Sequence, residues 1–307
     1  MLANGVLGVG LSVDVKDPNW RDLGAAMDEA VEAGCEFVEL PMHKLDIVMG
    51  ARIHRERLAA VRSIVRARQV GTTLHGHLGI NLMEEPHHLP LHRDVLAANI
   101  EVAAELGAIH LVMHSGFVRQ GAAGGVEAAY RRQRDTLAEM GDVAKAHGVT
   151  ICVENIFEFD GVRITALPSR LAAELAAISH PNVMATFDFG HGYLYCGMLG
   201  TDFLEEVKAL APFAKHLHLH DCFGRPKEFW TYTVSEDLAF GSGDLHLPLG
   251  WGDLPFERIA AEARFPAGIV ADIELQFRYW SELRPTIAAA RAFAEKLDTV
   301  SLRSAAE

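Results

Sequence analysis

Short runs of β-branched and aromatic residues alternate along the whole chain with longer stretches of helical spacing. The short runs predict strands at Val6–Val13, Glu36–Leu40, Thr72–His77, His110–Ser115, Thr150–Asn155, Val183–Phe189, His216–Asp221 and Ile269–Leu275. Amphipathic spacing predicts helices at Trp20–Ala33, Arg55–Arg68, Arg93–Leu106, Glu127–His147, Ser169–Ile178, Phe203–Leu210 and Trp280–Leu297, with Pro255–Ala263 supplying one more before the last strand. Gly34, Gly71, Gly107 and Gly148 each stand between a helix and a strand, where a C-cap glycine belongs. Asp17-Pro18-Asn19 offers capping residues to the first helix. Eight βα units in succession predict an α/β fold, a closed parallel (β/α)8 TIM barrel forming one domain over residues 1–307. The rival, an open doubly wound sheet, would carry a G-x-G-x-x-G turn after strand one, where Ser12-Val13-Asp14 stands instead. The longest irregular stretch is Cys222–Gly252, and loops of that length are usually functional.

Composition narrows the classes. Half of the 307 residues are hydrophobic, enough for a large core. Lys and Arg number 28 against 41 Asp and Glu, a net charge of −13 that argues against a nucleic-acid partner. Cys35, Cys152, Cys196 and Cys222 are scattered without C-x-x-C spacing, so reduced thiols are expected rather than a disulfide framework. No apolar stretch is long enough to span a membrane, and the N-terminus lacks the charged and apolar segments of a secretion signal, so a cytoplasmic protein is expected.

A barrel builds its site at the C-terminal ends of its strands, and the ionisable residues gather there. The predicted strands end in His75-Gly-His77, His114, Glu154-Asn155, Asp188 followed by His191, His218-Leu-His220-Asp221 and Glu274, and the loop after strand seven adds Asp244-Leu-His246. Imidazole nitrogen and carboxylate oxygen are ligands for zinc, manganese or iron, and a bound cation removes the cost of crowding acids into one lumen. His216, His218 and His220 alternate, so they face one side of their strand, and one of them is expected to be a ligand. His43, His54, His87, His88, His92, His147 and His180 lie in or beside helices and loops and are expected to be solvated.

These motifs resemble those of the xylose-isomerase-like barrels, which include sugar isomerases and epimerases and the apurinic-site repair enzymes of the endonuclease IV type. The resemblance spans all eight strands. It is carried by Leu74-His75 with Asn81, His114-Ser-Gly116, Glu154-Asn155, Asp188-Phe-Gly-His191, His218-Leu-His-Asp221, Asp244-Leu-His246-Leu-Pro-Leu-Gly250-Trp-Gly252 and Ile273-Glu274. It implies a single-metal set of Glu154, Asp188, His218 and Glu274, as in the isomerases. It also implies five further ligands, His75, His114, His191, Asp244 and His246, as in the repair enzymes. In the fuller set one ion would sit on His75, His114 and Glu154, a second on Glu154, Asp188, His218 and Glu274, and a third on His191, Asp244 and His246. Two departures weaken a repair role. Leu78 stands where those enzymes place a Tyr that pushes into DNA, and Met42-His43-Lys44-Leu45 replaces an Arg-containing insertion loop.

Two reactions remain open. The first is hydrolysis of a small phosphoester by two or three divalent ions, with zinc the first expectation and manganese or iron the others. Glu154 would bridge, Glu274 would orient the water, and Arg225 and Arg278 would hold phosphoryl oxygen unless they are plain surface arginines. The alternative is single-metal isomerisation or epimerisation of a sugar or keto-polyol, with Glu154 and Glu274 as catalytic base and acid and Trp20 or Trp230 stacking on the substrate. The five extra ligands favour the first. A non-catalytic metal-binding barrel is a third possibility, disfavoured by the open geometry of strand ends. The aromatic loop of Phe223, Phe229, Trp230, Tyr232 and Phe240 either caps a small-molecule pocket or packs on the rim, and Gly121–Gly125 is either a lid or a connection.

Overall fold

The computed structural model describes residues 4–118, 125–159 and 165–300. Eight parallel strands close into a barrel: Val6–Ser12, Phe37–Pro41, Gly71–His75, Ala108–His114, Thr150–Glu154, Val183–Asp188, Ala214–Leu219 and Ile269–Ile273. Each strand pairs with its neighbours in sequence, and the first pairs with the eighth, so the barrel has no free edge. The main outer helices are Leu23–Ala33, Arg55–Arg66, Leu89–Leu106, Val126–Ala146, Pro168–Ile178, Phe203–Leu210, Phe256–Glu262 and Leu283–Lys296. The apolar core lies between strands and helices, where Met27, Leu58, Leu96, Leu137, Leu171 and Ile287 are buried. The lumen is different. Glu39, Thr73, His110, His216, His218 and Asp272 are all buried there, in a space that most barrels fill with branched apolar side chains.

The eight-unit rhythm is in the sequence, but several boundaries differ. Gly34 and Gly107 do close helices in the left-handed conformation, at φ 103° and 77°. Gly71 does not cap a helix; it is the first residue of strand three, where a Cβ would meet the Phe37 ring at 2.5 Å. The first helix starts at Leu23 rather than Trp20. Asp17 accepts the Asn19 N–H in a local turn, and Trp20 sits at φ 57°, which postpones helical geometry. The helix Phe189–Leu199, packed directly after strand six, was not anticipated, because its small amphipathic signal hides an almost wholly buried first half. The irregular stretch Cys222–Gly252 contains the helix Val234–Phe240, opened by a capping box between Thr233 and Glu236. The segment Gly121–Gly125 lies, but for Gly125, outside the described residues.

Candidate metal centre

Register brings the strand-end residues together. His114 is the lateral partner of Glu154 on strands four and five, and Asp188 is the partner of His218 on strands six and seven. Parallel partners point to the same side, so these four side chains share the lumen mouth. Asp188 also caps the following helix by accepting the His191 N–H at 2.7 Å, which puts His191 in the first helical turn, facing inward. Asp244 and His246 come from the long loop after strand seven, which is fastened to strand end seven by the paired backbones of Asp221 and Leu247. The Asp221 carboxylate further accepts the N–H groups of Cys222, Gly250 and Leu254. His246 has a left-handed backbone, φ 45°, unusual for a residue with a side chain. Its Nδ1 lies 3.1 Å from the Glu274 carbonyl and its Nε2 2.9 Å from Asp244 Oδ2.

All nine sequence-selected ligands converge. His75 Nε2 and His114 Nε2 lie 3.3 and 3.6 Å from Glu154 Oε2. His218 Nδ1 is 3.3 Å from Glu154 Oε1, 3.6 Å from Glu274 Oε1 and 3.8 Å from Asp188 Oδ2. His191 Nε2 is 3.3 Å from Asp244 Oδ2. Groups whose ligand atoms are close enough to share an ion include His75, His114 and Glu154; Glu154, Asp188 and His218; His191, His220, Asp244 and His246; and His75, His218 and Glu274. Their membership departs from the resemblance in two ways: Glu274 groups with His75 and His218 rather than with Glu154 and Asp188, and one residue is added. His220, expected to be a bystander, belongs to the third group, with Nε2 3.2 Å from both Asp188 oxygens and its ring stacked on His246 at 4.0 Å. Gly190 makes room for it, since a Cβ there would meet the His220 ring at 2.0 Å. Sequence reasoning set this residue aside because alternation alone gives His216, His218 and His220 one face without saying which reach the mouth.

The electrostatics fit a cation-seeking site. Burial alone would raise Glu154, yet the surrounding imidazoles of His218, His114 and His191 hold it well below the usual carboxylate range. Burial alone would lower His75 and His246, but Glu154 raises the first to about 9 and Asp244 the second to about 10. His114 is pushed down to about 4 because burial outweighs its one carboxylate neighbour. Glu154 Oε2 and Asp244 Oδ1 are buried and accept no hydrogen bond. Buried oxygens without donors, ringed by imidazole nitrogens, are a donor set that suits zinc, manganese or iron.

A cleft of about 310 Å³ opens beside these groups, lined by His75, His246 and Glu274 together with Phe277 and Trp280. His43, expected to be solvated, is a cleft residue instead: it is half-buried against His75, and its Nδ1 has no partner. The three expected substrate-binding residues stand elsewhere. Arg225 donates to the Phe240 carbonyl on the outer loop. Trp230 is 71% exposed and packs on Tyr232. Arg278 donates to Ser235 and lines a neighbouring pocket of about 250 Å³ with Lys227 and Gln276. Trp20 is buried and donates to the Leu45 carbonyl. The loop aromatics Phe229, Trp230, Tyr232 and Phe240 are exposed, and none of them lines the cleft.

Closed barrel, strand-end acids and histidines define a class, and the chain belongs to the xylose isomerase-like TIM barrel family, whose model matches residues 27–296. The uncharacterized protein MJ1311 of Methanocaldococcus jannaschii is 27% identical over 147 residues, which are 48% of this chain and 46% of that protein, so the match spans about half of the relative's length. A D-tagatose 3-epimerase-like protein superposes with a TM-score of 0.69 at 20% identity, over 94% of this chain and 97% of that one. An IOLI protein with a bound zinc atom superposes with a TM-score of 0.68 at 14% identity, over 95% and 98%. These structural likenesses concern the fold.

Proposed function

We propose that this protein is a metal-dependent isomerase or epimerase of a small polyhydroxylated carbonyl compound. One observation carries the reading: Glu154 and Glu274 approach His218 Nδ1 to 3.3 and 3.6 Å from different strands, so two carboxylates frame a single point beside the cleft. This replaces phosphoester hydrolysis as the leading function. The likeness to a D-tagatose 3-epimerase-like protein supports the change. Arg225, expected to hold a phosphoryl group, lies outside the cleft, which supports it further, whereas Arg278 shares its pocket with Asp244.

Glu154, Asp188, His218 and Glu274 would hold the ion. Held there, a divalent ion would withdraw charge from a carbonyl or hydroxyl oxygen and so acidify the adjoining C–H. One of the two glutamates removes that proton and the other delivers a proton either to the opposite face of the same carbon, which inverts it, or to the neighbouring carbon while the hydroxyl proton passes to the former carbonyl oxygen, which moves the carbonyl. The unpartnered Trp280 Nε1 and His43 Nδ1 can each make a hydrogen bond to a substrate hydroxyl. A cleft of about 310 Å³ lies at the small end of ligand pockets and suits a monosaccharide-sized molecule.

The test is solvent exchange. The protein, loaded in turn with Mn, Zn or Co, is incubated with ketoses in deuterium oxide, and deuterium is sought by NMR at carbons next to the carbonyl. Incorporation together with a new epimer or aldose supports the reading. Turnover of phosphate esters with no exchange on any ketose would sink it. That second reading, hydrolysis by several ions, draws on the group of His191, His220, Asp244 and His246, which single-ion chemistry does not use.

A further inference from the structure

His218 turns its two ring nitrogens toward different sets of residues. Nδ1 faces the mouth, where Glu154, Glu274 and Asp188 gather. Nε2 faces down into the lumen, 3.2 Å from Glu39 Oε1 on strand two. His218 and Glu39 are 0% and 1% exposed, so no water competes for either.

We propose that Glu39 is a positioning residue of the metal centre, which accepts the Nε2–H of His218 and so leaves Nδ1 as the nitrogen offered to the cation. This rests on the reading above that an ion sits among Glu154, Asp188, His218 and Glu274. A neutral imidazole carries one N–H, and a nitrogen that ligates a cation cannot carry it. The proton therefore belongs on Nε2, which is buried, has no hydrogen-bond partner among the described residues in this geometry, and has the Glu39 carboxylate 3.2 Å away to receive it. A carboxylate behind a ligating imidazole fixes the tautomer and makes the ring a better donor.

Glu39 is itself held from several strands. Ser12 Oγ on strand one lies 3.1 Å from Glu39 Oε1, and Thr73 Oγ1 on strand three lies 3.4 Å from Oε2. His216 Nε2 on strand seven is 3.1 Å from the same Oε2. Ser12 also reaches Asp272 Oδ2 at 2.7 Å on strand eight. These residues account for the polar lumen. Sequence reasoning missed Glu39 because Phe-Val-Glu-Leu-Pro reads as one apolar strand with a single interruption.

The rival is that Glu39, His216, His218 and Asp272 hold a cation of their own, since their ligand atoms are close enough to do so. Glu39→Gln separates the two, because it keeps shape and an acceptor oxygen and removes the charge. Full-length wild type and variant are titrated with Mn and Zn against a chromophoric chelator, the bound ions are counted, and the visible spectrum of the cobalt-loaded protein is recorded. Positioning predicts an unchanged ion count, affinity weaker by roughly ten- to a hundredfold, and a shifted cobalt band, with the circular dichroism of the metal-free variant unchanged. Affinity within twofold of wild type in a folded variant would overturn the proposal. So would loss of one whole equivalent, which would make Glu39 a ligand. If Glu39→Gln does not fold, Ser12→Ala, which frees one anchor of Glu39, is expected to weaken binding with the count unchanged, and no change overturns the proposal. A wild type that binds none of the three metals would instead refute the underlying metal reading.

Discussion

Asp188 accepts the backbone N–H of His191 at 2.7 Å, so one candidate ligand is the N-cap of the helix that carries another. Removing the carboxylate therefore does two separable things. Asp188→Asn retains a capping oxygen and weakens metal binding. Asp188→Ala loses the cap as well and costs the metal-free protein about 1 kcal/mol more than Asn does. Urea melts of both variants without metal check this, and equal stability would show that the cap contributes nothing.

Glu154→Gln and Glu274→Gln each remove one of the two carboxylates beside His218. On an epimerisable ketose each is expected to lower kcat by roughly a hundredfold or more, with KM changed far less, because the lost group acts on a proton in transit. Glu154 belongs to two of the ligand groups, so its variant is expected also to lose metal. Steady-state kinetics with metal analysis on the same samples distinguishes the two effects. Full activity in Glu274→Gln would remove it from the mechanism.

Much of this site is legible in the sequence because a parallel barrel turns order along the chain into order around a ring. Residues at successive strand ends must meet, and His75, His114, Glu154, Asp188, His218 and Glu274 do. What stayed hidden lies off that rule. Glu39 and Asp272 face the lumen from strands that read as apolar, and their role depends on which neighbours point inward. His220 enters through ring stacking on His246, a residue supplied by a distant loop. Arg225 and Trp230 illustrate the converse: residue type suggested substrate contact, but neither lines the cleft.

The number of ions decides between the two chemistries. Under the isomerase reading, protein purified without chelator or affinity tag is expected to hold one equivalent of divalent metal, whereas two or more equivalents, with one fewer in His246→Ala, would restore hydrolysis by several ions. His246 lies 2.9 Å from Asp244 and 3.7 Å from Glu274, so its loss opens the third group and leaves His75, His114, Glu154 and His218 untouched. Elemental analysis provides the count. A single equivalent unchanged by His246→Ala would assign these histidines to hydroxyl recognition.

Asp221 organises the segment that delivers Asp244 and His246. Its buried carboxylate accepts three backbone N–H groups, and Gly252 is tolerated there only without a side chain, since a Cβ would stand 2.3 Å from Asp221 Oδ1. Asp221→Ala leaves those donors unpaired and is expected to destabilise the fold by about 3 kcal/mol, at roughly 1–3 kcal/mol per orphaned group with partial relaxation. Hydrogen exchange at Gly250 and Leu254 should quicken first. Unchanged exchange at those amides would show that the loop is held by its Leu247 pairing alone.

The buried thiols set a limit on the alkaline side. Burial, helped by Asp272 and Glu36, pushes Cys35 up to about 12, and burial raises Cys196 to about 11; Cys152 and Cys222 move in the same direction. Folded pKa values above the unfolded one mean that the unfolded chain loses its protons first. The contribution to stability is therefore complete below about pH 8.5, the unperturbed thiol value, and is lost as pH rises toward 11 and 12. Each thiol removes about 1.4 kcal/mol per pH unit in that window. Urea midpoints of the metal-free protein are expected to fall steadily from pH 8.5 to 10, and Cys35→Ala to flatten the decline while costing some stability at neutral pH through the small cavity it leaves. A midpoint constant over that range would mean that the thiols ionise within the fold as easily as in water, which their burial forbids.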